Sequence, residues 1–453
     1  MVNLPNCDSI QNLFRKFVPA SFLAQLTQKY DLCEQGIYVP AVVLWLMMWQ
    51  QLGGNRTLEE AVQQVVLGEP RDLLPDHKRV REGTVSSRTG SYSVARSKMQ
   101  PAAVEDVFDH VFEQALRLSP QDQLTRRTYL LDGSSIRLAH TPELNRLFPP
   151  ASNRHGRSHW PIWRVVVVHN LANGTAGRPA WGPMYGKHAV SEQTLAATIL
   201  ARMPPSIFIA DRNFGVFSVI WEAHRQRHEV ITRLTKARAQ RLFGGTLPRQ
   251  DGAYEVTWTP SRDDRRSHPK TPADAAVRGR LIIKRVRRHR RNIVLYLFTT
   301  LDLPIEQIAE LYGRRWYIET DLRSIKQTLN LEQLRCKTRD MVAKELLTGI
   351  MAYNLIRLVQ DAAAQSVGVD CRELSFRYVQ VVVNAWLPYL LAATTPAEFQ
   401  TLWQRMLRAV AQGKLPKREQ QRRYRREVWG RPQVYPRRKP RKIRRRRTHG
   451  KNK

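Results

Sequence analysis

Between Thr128 and Lys236 the hydrophobic pattern switches repeatedly between the two-residue period of strands and the 3.6-residue period of helices. YLLDGSSIRLAH (129–140) opens with an apolar run and then alternates, PIWRVVVVHNL (161–171) is rich in β-branched residues, and AGRPAWGPMYG (176–186) reads as a third strand. SEQTLAATILARM (191–203) is helical in period with Ser191 as candidate cap, and SIFIADR (206–212) is a short buried strand. GVFSVIWEAHRQRH (215–228) is again helical and EVITRLTK (229–236) again a strand. Three strands, a helix, a strand, a helix and a strand describe a sheet with helices packed on it, an α/β layered fold.

The flanking regions read differently. Residues 1–120 are helical in pattern, with a Gly53-Gly54-Asn55-Arg56 turn before TLEEAVQQVV, where Thr57 is a plausible cap and Glu60 follows three residues on. The polar, basic and serine-rich segment 81–99 leads into an amphipathic helix, an arrangement that suits recognition of DNA ends and makes 1–120 a helical DNA-binding domain, with a plain helical bundle as the alternative. Residues 237–304 interrupt the α/β succession with three strand-like runs, GAYEVTWTP (252–260), RGRLIIKRVRR (278–288) and NIVLYLFTT (292–300), a β-rich insertion. Helix resumes from Pro304 to about Leu331, further helices cover 336–412, and 413–453 reads as a disordered basic tail.

Charge narrows the choice of partner. The chain of 453 residues carries 74 Lys and Arg against 39 Asp and Glu, a net +35, which calls for a polyanion such as nucleic acid. The tail holds 19 Lys and Arg against 2 Glu, a net +17, so the body is basic in its own right. Four cysteines without metal-ligand or redox spacing suit a reduced compartment. No signal peptide is visible, and the apolar runs 37–49 and 379–393 fall short of the roughly 20 residues of a membrane span. A cytoplasmic protein without a membrane partner is expected.

The residues with chemistry are acidic. Asp132 follows the apolar run YLL and Asp211 follows IFIA, so both read as strand-end aspartates, poorly placed for packing and well placed at a sheet rim. LYGRRWYIETDLRSIK (311–326) carries Tyr312, Arg315, Glu319 and Lys326 at Y-x2-R-x3-E-x6-K. At about 100° per residue, these four share roughly 60° of helix arc. Taken singly, a turn aspartate or a charged helix face needs no function. Taken together, three carboxylates that converge oppose one another, and a divalent cation with oxygen ligands relieves the repulsion. Two such ions can activate a nucleophile and stabilise a leaving 3′ oxygen. His155 and His159 have metal-like spacing but no cysteine partners, and no glycine-rich nucleotide loop or serine nucleophile elbow is present.

LDGSSIRLAH, FIADRNFGVFSVIWEAHRQRHEVITRLTK and YGRRWYIETDLRSIK resemble the three catalytic motifs of DDE transposases of the insertion-sequence-four family, and SEQTLA (191–196) resembles its intervening helix. The resemblance covers about 125–335 and implies a ribonuclease H-like catalytic domain with the β-rich insertion, between helical N- and C-terminal regions. It implies Asp132, Asp211 and Glu319 as catalytic metal ligands for Mg²⁺ or Mn²⁺. By position, Tyr312, Arg315 and Lys326 take the family's contacts to terminal phosphates and a flipped base, and Trp316, on the same arc, suits base stacking. The implied reaction nicks transposon ends with water and then joins the 3′-OH to DNA. The implied partners are double-stranded DNA, as terminal inverted repeats and target, and a second copy of the chain in the DNA complex, in the nucleoid-associated cytoplasm. Two departures from the pattern stand out: Asn213-Phe214-Gly215 where many relatives have glycine and an aromatic, and His140 where an acid is frequent. The competing readings are a DNA-binding protein derived from a transposase but catalytically silent, and a two-metal nuclease of ribonuclease H type.

Overall fold

The computed structural model describes residues 9–119, 124, 126–153, 156–288 and 291–416. His155 and, from 417 onward, the basic tail lie outside the described residues.

Among the described residues seven α-helices precede the first strand: α1 Ile10–Phe17, α2 Ala20–Tyr30, α3 Pro40–Leu52, α4 Leu58–Val66, α5 Lys78–Arg81, α6 Gly90–Lys98 and α7 Pro101–Leu118. The expected cap of α4 is a full capping box, in which Thr57 and Glu60 each accept from the other's backbone N–H. Within the polar segment 81–99 the structure has a further helix, α6, whose Tyr92 is fully buried and hydrogen-bonds Gln50. That buried contact helps to order a stretch that is otherwise polar and basic.

The α/β region follows as β1 Thr128–Arg137, α8 Pro142–Leu147, β2 Ser152–Asn153, β3 Gly156–Arg157, β4 Ile162–Asn170, β5 Ala180–Pro183, α9 Glu192–Leu200, β6 Ile207–Ala210, α10 Phe217–Arg225 and β7 Glu229–Arg233. Next come α11 Lys236–Phe243, β8 Gly252–Trp258, α12 Arg262–Ser267, β9 Val277–Arg288 and β10 Arg291–Thr299. The large sheet has eight strands in the order β5-β4-β1-β6-β7-β10-β9-β8. β1 is antiparallel to β4 and parallel to β6, and β6 is parallel to β7. The three strands of the 237–304 segment do not form a separate module. β10 pairs antiparallel with β7, so they extend the main sheet.

The strand alternation divides the interior into two cores. Leu131, Phe208, Ala210 and Val230 face α9 and α10 on one side, with Leu195, Ile199 and Ile220. Leu130, Ile209 and Ile231 face the other side, where they meet Ile308, Leu311, Tyr312 and Ile318. Those last residues belong to α13 Ile305–Gly313 and α14 Tyr317–Arg323. The expected single helix through this motif is not uniform: a 3-10 turn, Arg314–Trp316, and a π-turn, Ser324–Thr328, flank α14.

The chain closes with α15 Arg339–Ser366, α16 Phe376–Ala392 and α17 Pro396–Ala411. α15 is buried along most of its length and packs on α3, α7, α16 and α17, so it joins the N-terminal helices to the C-terminal ones. Its fully buried Lys344 donates to the carbonyls of Arg96, Ser97 and Met99 at 2.7–3.2 Å, which binds it to the α6–α7 junction. Among the described residues no helix is long and apolar enough to cross a membrane.

Candidate active site at the sheet rim

Asp132 is not at the end of its strand. β1 runs five residues further, to Arg137, because β4 continues to pair with it. What ends beside Asp132 is β6. Leu131 pairs with Ala210, the last residue of β6, so Asp132 and Asp211 follow side by side where the parallel ladder stops. The rim reading therefore holds for a different reason: the neighbour runs out, not the strand itself. Asp211 then accepts from the backbone N–H of Asn213 at 2.7 Å, and Thr232 donates to its carbonyl at 3.2 Å.

Burial and charge act on Asp132 together. Burial pushes its carboxyl up to about 6, and the neighbouring Asp211 and Glu192 add to the rise, while the N–H of Gly133 and the guanidinium of Arg315 oppose it. Arg315 stands between two acids, 3.1 Å from Glu319 and 3.8 Å from Asp132. Among the described residues no three His, Cys, Asp or Glu side chains stand close enough to hold one ion together. The donor set nonetheless fits a hard divalent cation: half-buried carboxylates from two adjacent strands and a facing helix, with more negative than positive charge among them.

The motif helix reaches the same strand. Lys326 Nζ donates to Ser134 Oγ at 3.4 Å, and Ser134 shares a strand face with Asp132. The 3-10 turn advances about 120° per residue and the wider π-turn less, so the uniform 100° of a helical wheel does not describe this helix. Arg315, Glu319 and Lys326 nevertheless all face β1. Tyr312 is only 8% exposed and its ring lies in the second core. Burial raises its hydroxyl, with Arg315 and Arg233 opposing the rise. Trp316 is 52% exposed, which is not how a core tryptophan sits.

A family model described as "Transposase DDE domain" matches residues 123–355, which is 233 residues and just over half of the 453. The chain belongs to the transposase DDE domain family. The matched span contains Asp132, Asp211, Glu319 and Lys326. The chain is similar to the transposase InsG for insertion sequence element IS4 of Escherichia coli (strain K12), 25% identical over 354 residues that cover 76% of each protein. It is also similar to a probable transposase for insertion sequence element IS5377 of Geobacillus stearothermophilus, 34% identical over 71 residues, 16% of this chain and 19% of that one.

Two further features of this transposase-family chain escape sequence reasoning. Glu192, first residue of α9, lies against the site: Asn213 Nδ2 donates to its carboxylate, and it raises Asp132. The SEQTLA resemblance marks its helix but gives Glu192 no role, since an acid in the first turn behind a serine cap is ordinary helix chemistry. The second is a buried cluster behind Glu319. Asp321 is fully buried and accepts from Arg357 of α15 and from Arg372 at 3.0–3.2 Å. His169 of β4 lies 3.8 Å away, and burial pushes it down to about 4, so it is neutral and its Nδ1–H points to the Gly174 carbonyl at 3.1 Å. Burial alone would raise Asp321, but the two arginines hold it below the usual carboxylate range. The helix bearing Glu319 is thus fastened to the sheet and to the C-terminal helices. Of the two noted departures, His140 stacks on His159 at 4.1 Å, and Asn213 becomes the link between Asp211 and Glu192.

Proposed function

We propose that this transposase-family chain cleaves the ends of a mobile DNA element and joins their 3′-OH groups to target DNA, with Asp132, Asp211 and Glu319 holding Mg²⁺ or Mn²⁺. The observation that carries the reading is the pair Asp132 and Asp211 at the end of the β1–β6 ladder, facing Glu319 across Arg315. Bound divalent cations supply activation of water or a 3′-OH and neutralise charge on the leaving oxygen. The protein's own part is positioning. Arg315 and Lys326 lie where a terminal phosphate next to the acids meets two cations, and Trp316 offers an exposed ring on which a base stacks.

The sheet order β5-β4-β1-β6-β7, three antiparallel strands followed by two parallel to the first, supports the ribonuclease H-like reading of the catalytic domain. The substrates in this reading are double-stranded terminal inverted repeats and target DNA, held by a homodimer, and the net +35 suits such partners. The test is Mg²⁺-dependent cleavage of duplexes carrying the repeats that flank the gene. Replacing Asp132, Asp211 or Glu319 by Ala abolishes cleavage and leaves end binding in place. Robust cleavage by any of the three variants would remove that residue from the site.

A further inference from the structure

Glu192 comes to the rim from the side opposite Glu319. α9 packs in the core that contains Leu131 and Ala210, whereas α14 packs in the core that contains Leu130 and Ile209. Gly133 follows Asp132 on β1 and presents its Cα hydrogens to the α9 face, where the Glu192 carboxylate lies directly over it. A Cβ added to Gly133 would come within 2.4 Å of Glu192 Cδ and 2.5 Å of its Oε1. The bare backbone at that position is what admits the carboxylate.

Asn213 secures the same approach. Its backbone N–H donates to Asp211 Oδ1 at 2.7 Å while its side-chain amide donates to Glu192, so one residue fastens both acids. Gln193, the next residue of α9, donates to the Asn213 carbonyl and side-chain oxygen at 2.9 and 3.0 Å, which closes the loop onto the helix. A first-turn glutamate serving only its helix needs neither the glycine nor the asparagine. Ser191 already caps α9 through the Thr194 N–H at 3.1 Å.

We propose that Glu192 is a fourth carboxylate of the metal site, admitted by Gly133 and aimed by Asn213, and that it helps hold a divalent cation beside Asp132. The inference rests on the reading of Asp132, Asp211 and Glu319 as metal ligands. It gives the cation ligands from both faces of the sheet.

The experiment is calorimetric titration of Ca²⁺ into the full chain, which reads the site without turnover, on the wild type, Glu192→Gln, Gly133→Ala and Asp132→Asn. Glu192→Gln keeps an oxygen for Asn213 and removes the charge, and its Ca²⁺ affinity is expected to fall about tenfold. Gly133→Ala keeps the charge of Glu192 but pushes its carboxylate aside, and the same loss is expected. Combining the two substitutions is expected to add nothing further. The Mg²⁺ concentration for half-maximal cleavage should rise in step with the loss of affinity. Wild-type affinity in Glu192→Gln, with affinity lost in Asp132→Asn, would overturn the role of Glu192 and leave the three-carboxylate site standing. Wild-type affinity in Asp132→Asn would overturn the metal site itself.

Discussion

Glu319 and Asp321 stand two residues apart on one helix, in opposite electrostatic worlds. Asp321 is fully buried, yet Arg357 and Arg372 pair with it so well that its carboxyl is held below the usual range. On the other side of the helix, Glu319 shares Arg315 with Asp132, and Asp132 is pushed up to about 6 by burial and by the acids beside it. The protein compensates the first cluster from within. It leaves the second short of positive charge. That contrast separates a structural ion network, which needs only itself, from a site whose missing charge is supplied by what binds there.

The contrast can be broken first at its stable end. Asp321→Ala leaves Arg357 and Arg372 unpaired in the interior, and the expected loss is about 3–5 kcal/mol of unfolding free energy. Denaturant melts would check this, and a loss below about 1 kcal/mol would mean that water or a shifted chain satisfies the arginines. Because the network ties the Glu319 helix to α15 through Arg357 and to the end of β4 through Arg372, which also donates to the Asn170 carbonyl, the same variant should lose cleavage before it loses fold.

A second substitution sharpens the rim. Arg315→Ala removes the cation placed between Asp132 and Glu319, and with it the proposed contact for the terminal phosphate. Single-turnover processing of a pre-cleaved end is expected to slow by roughly 10- to 150-fold, the equivalent of about 1.5–3 kcal/mol for a charge-assisted contact. Unchanged rates would reduce Arg315 to a salt bridge between surface groups.

These two regions were not equally legible in the sequence. The strands and helices of 128–236 announce themselves because each buries one face and keeps its period, and the structure follows them closely. Asp132, Asp211 and Glu319 were legible as acids next to apolar runs or on a motif helix. Their surroundings were not. That β6 stops beside Asp132, while β1 runs on, depends on which strands pair, and pairing leaves no mark in a local pattern. That 237–304 extends the main sheet depends on β10 finding β7, again a non-local choice. The Asp321 cluster joins residues from β4, α14, α15 and the turn at Arg372, so no window of sequence contains it. Glu192 was hidden by being ordinary: only Gly133 and Asn213 give it away, and they do so in space.

The most direct test of the account is the stability of the wild type and Asp132→Asn between pH 4 and pH 8, with and without Ca²⁺. A carboxyl whose folded pKa is raised binds its proton more tightly in the folded state. Its contribution is therefore fully present below the unfolded value near 3.8 and is lost as pH rises through about 6. At about 1.4 kcal/mol per unit, discounted for the partly exposed side chain, ionised Asp132 is expected to cost about 2 kcal/mol at neutral pH. Asp132→Asn should then be the more stable protein by about that amount at pH 7 and lose its advantage near pH 4. Saturating Ca²⁺ should close the gap by stabilising the wild type alone. Equal stabilities across the whole range, or equal gains from Ca²⁺ in both proteins, would contradict the claim that the rim is short of a cation.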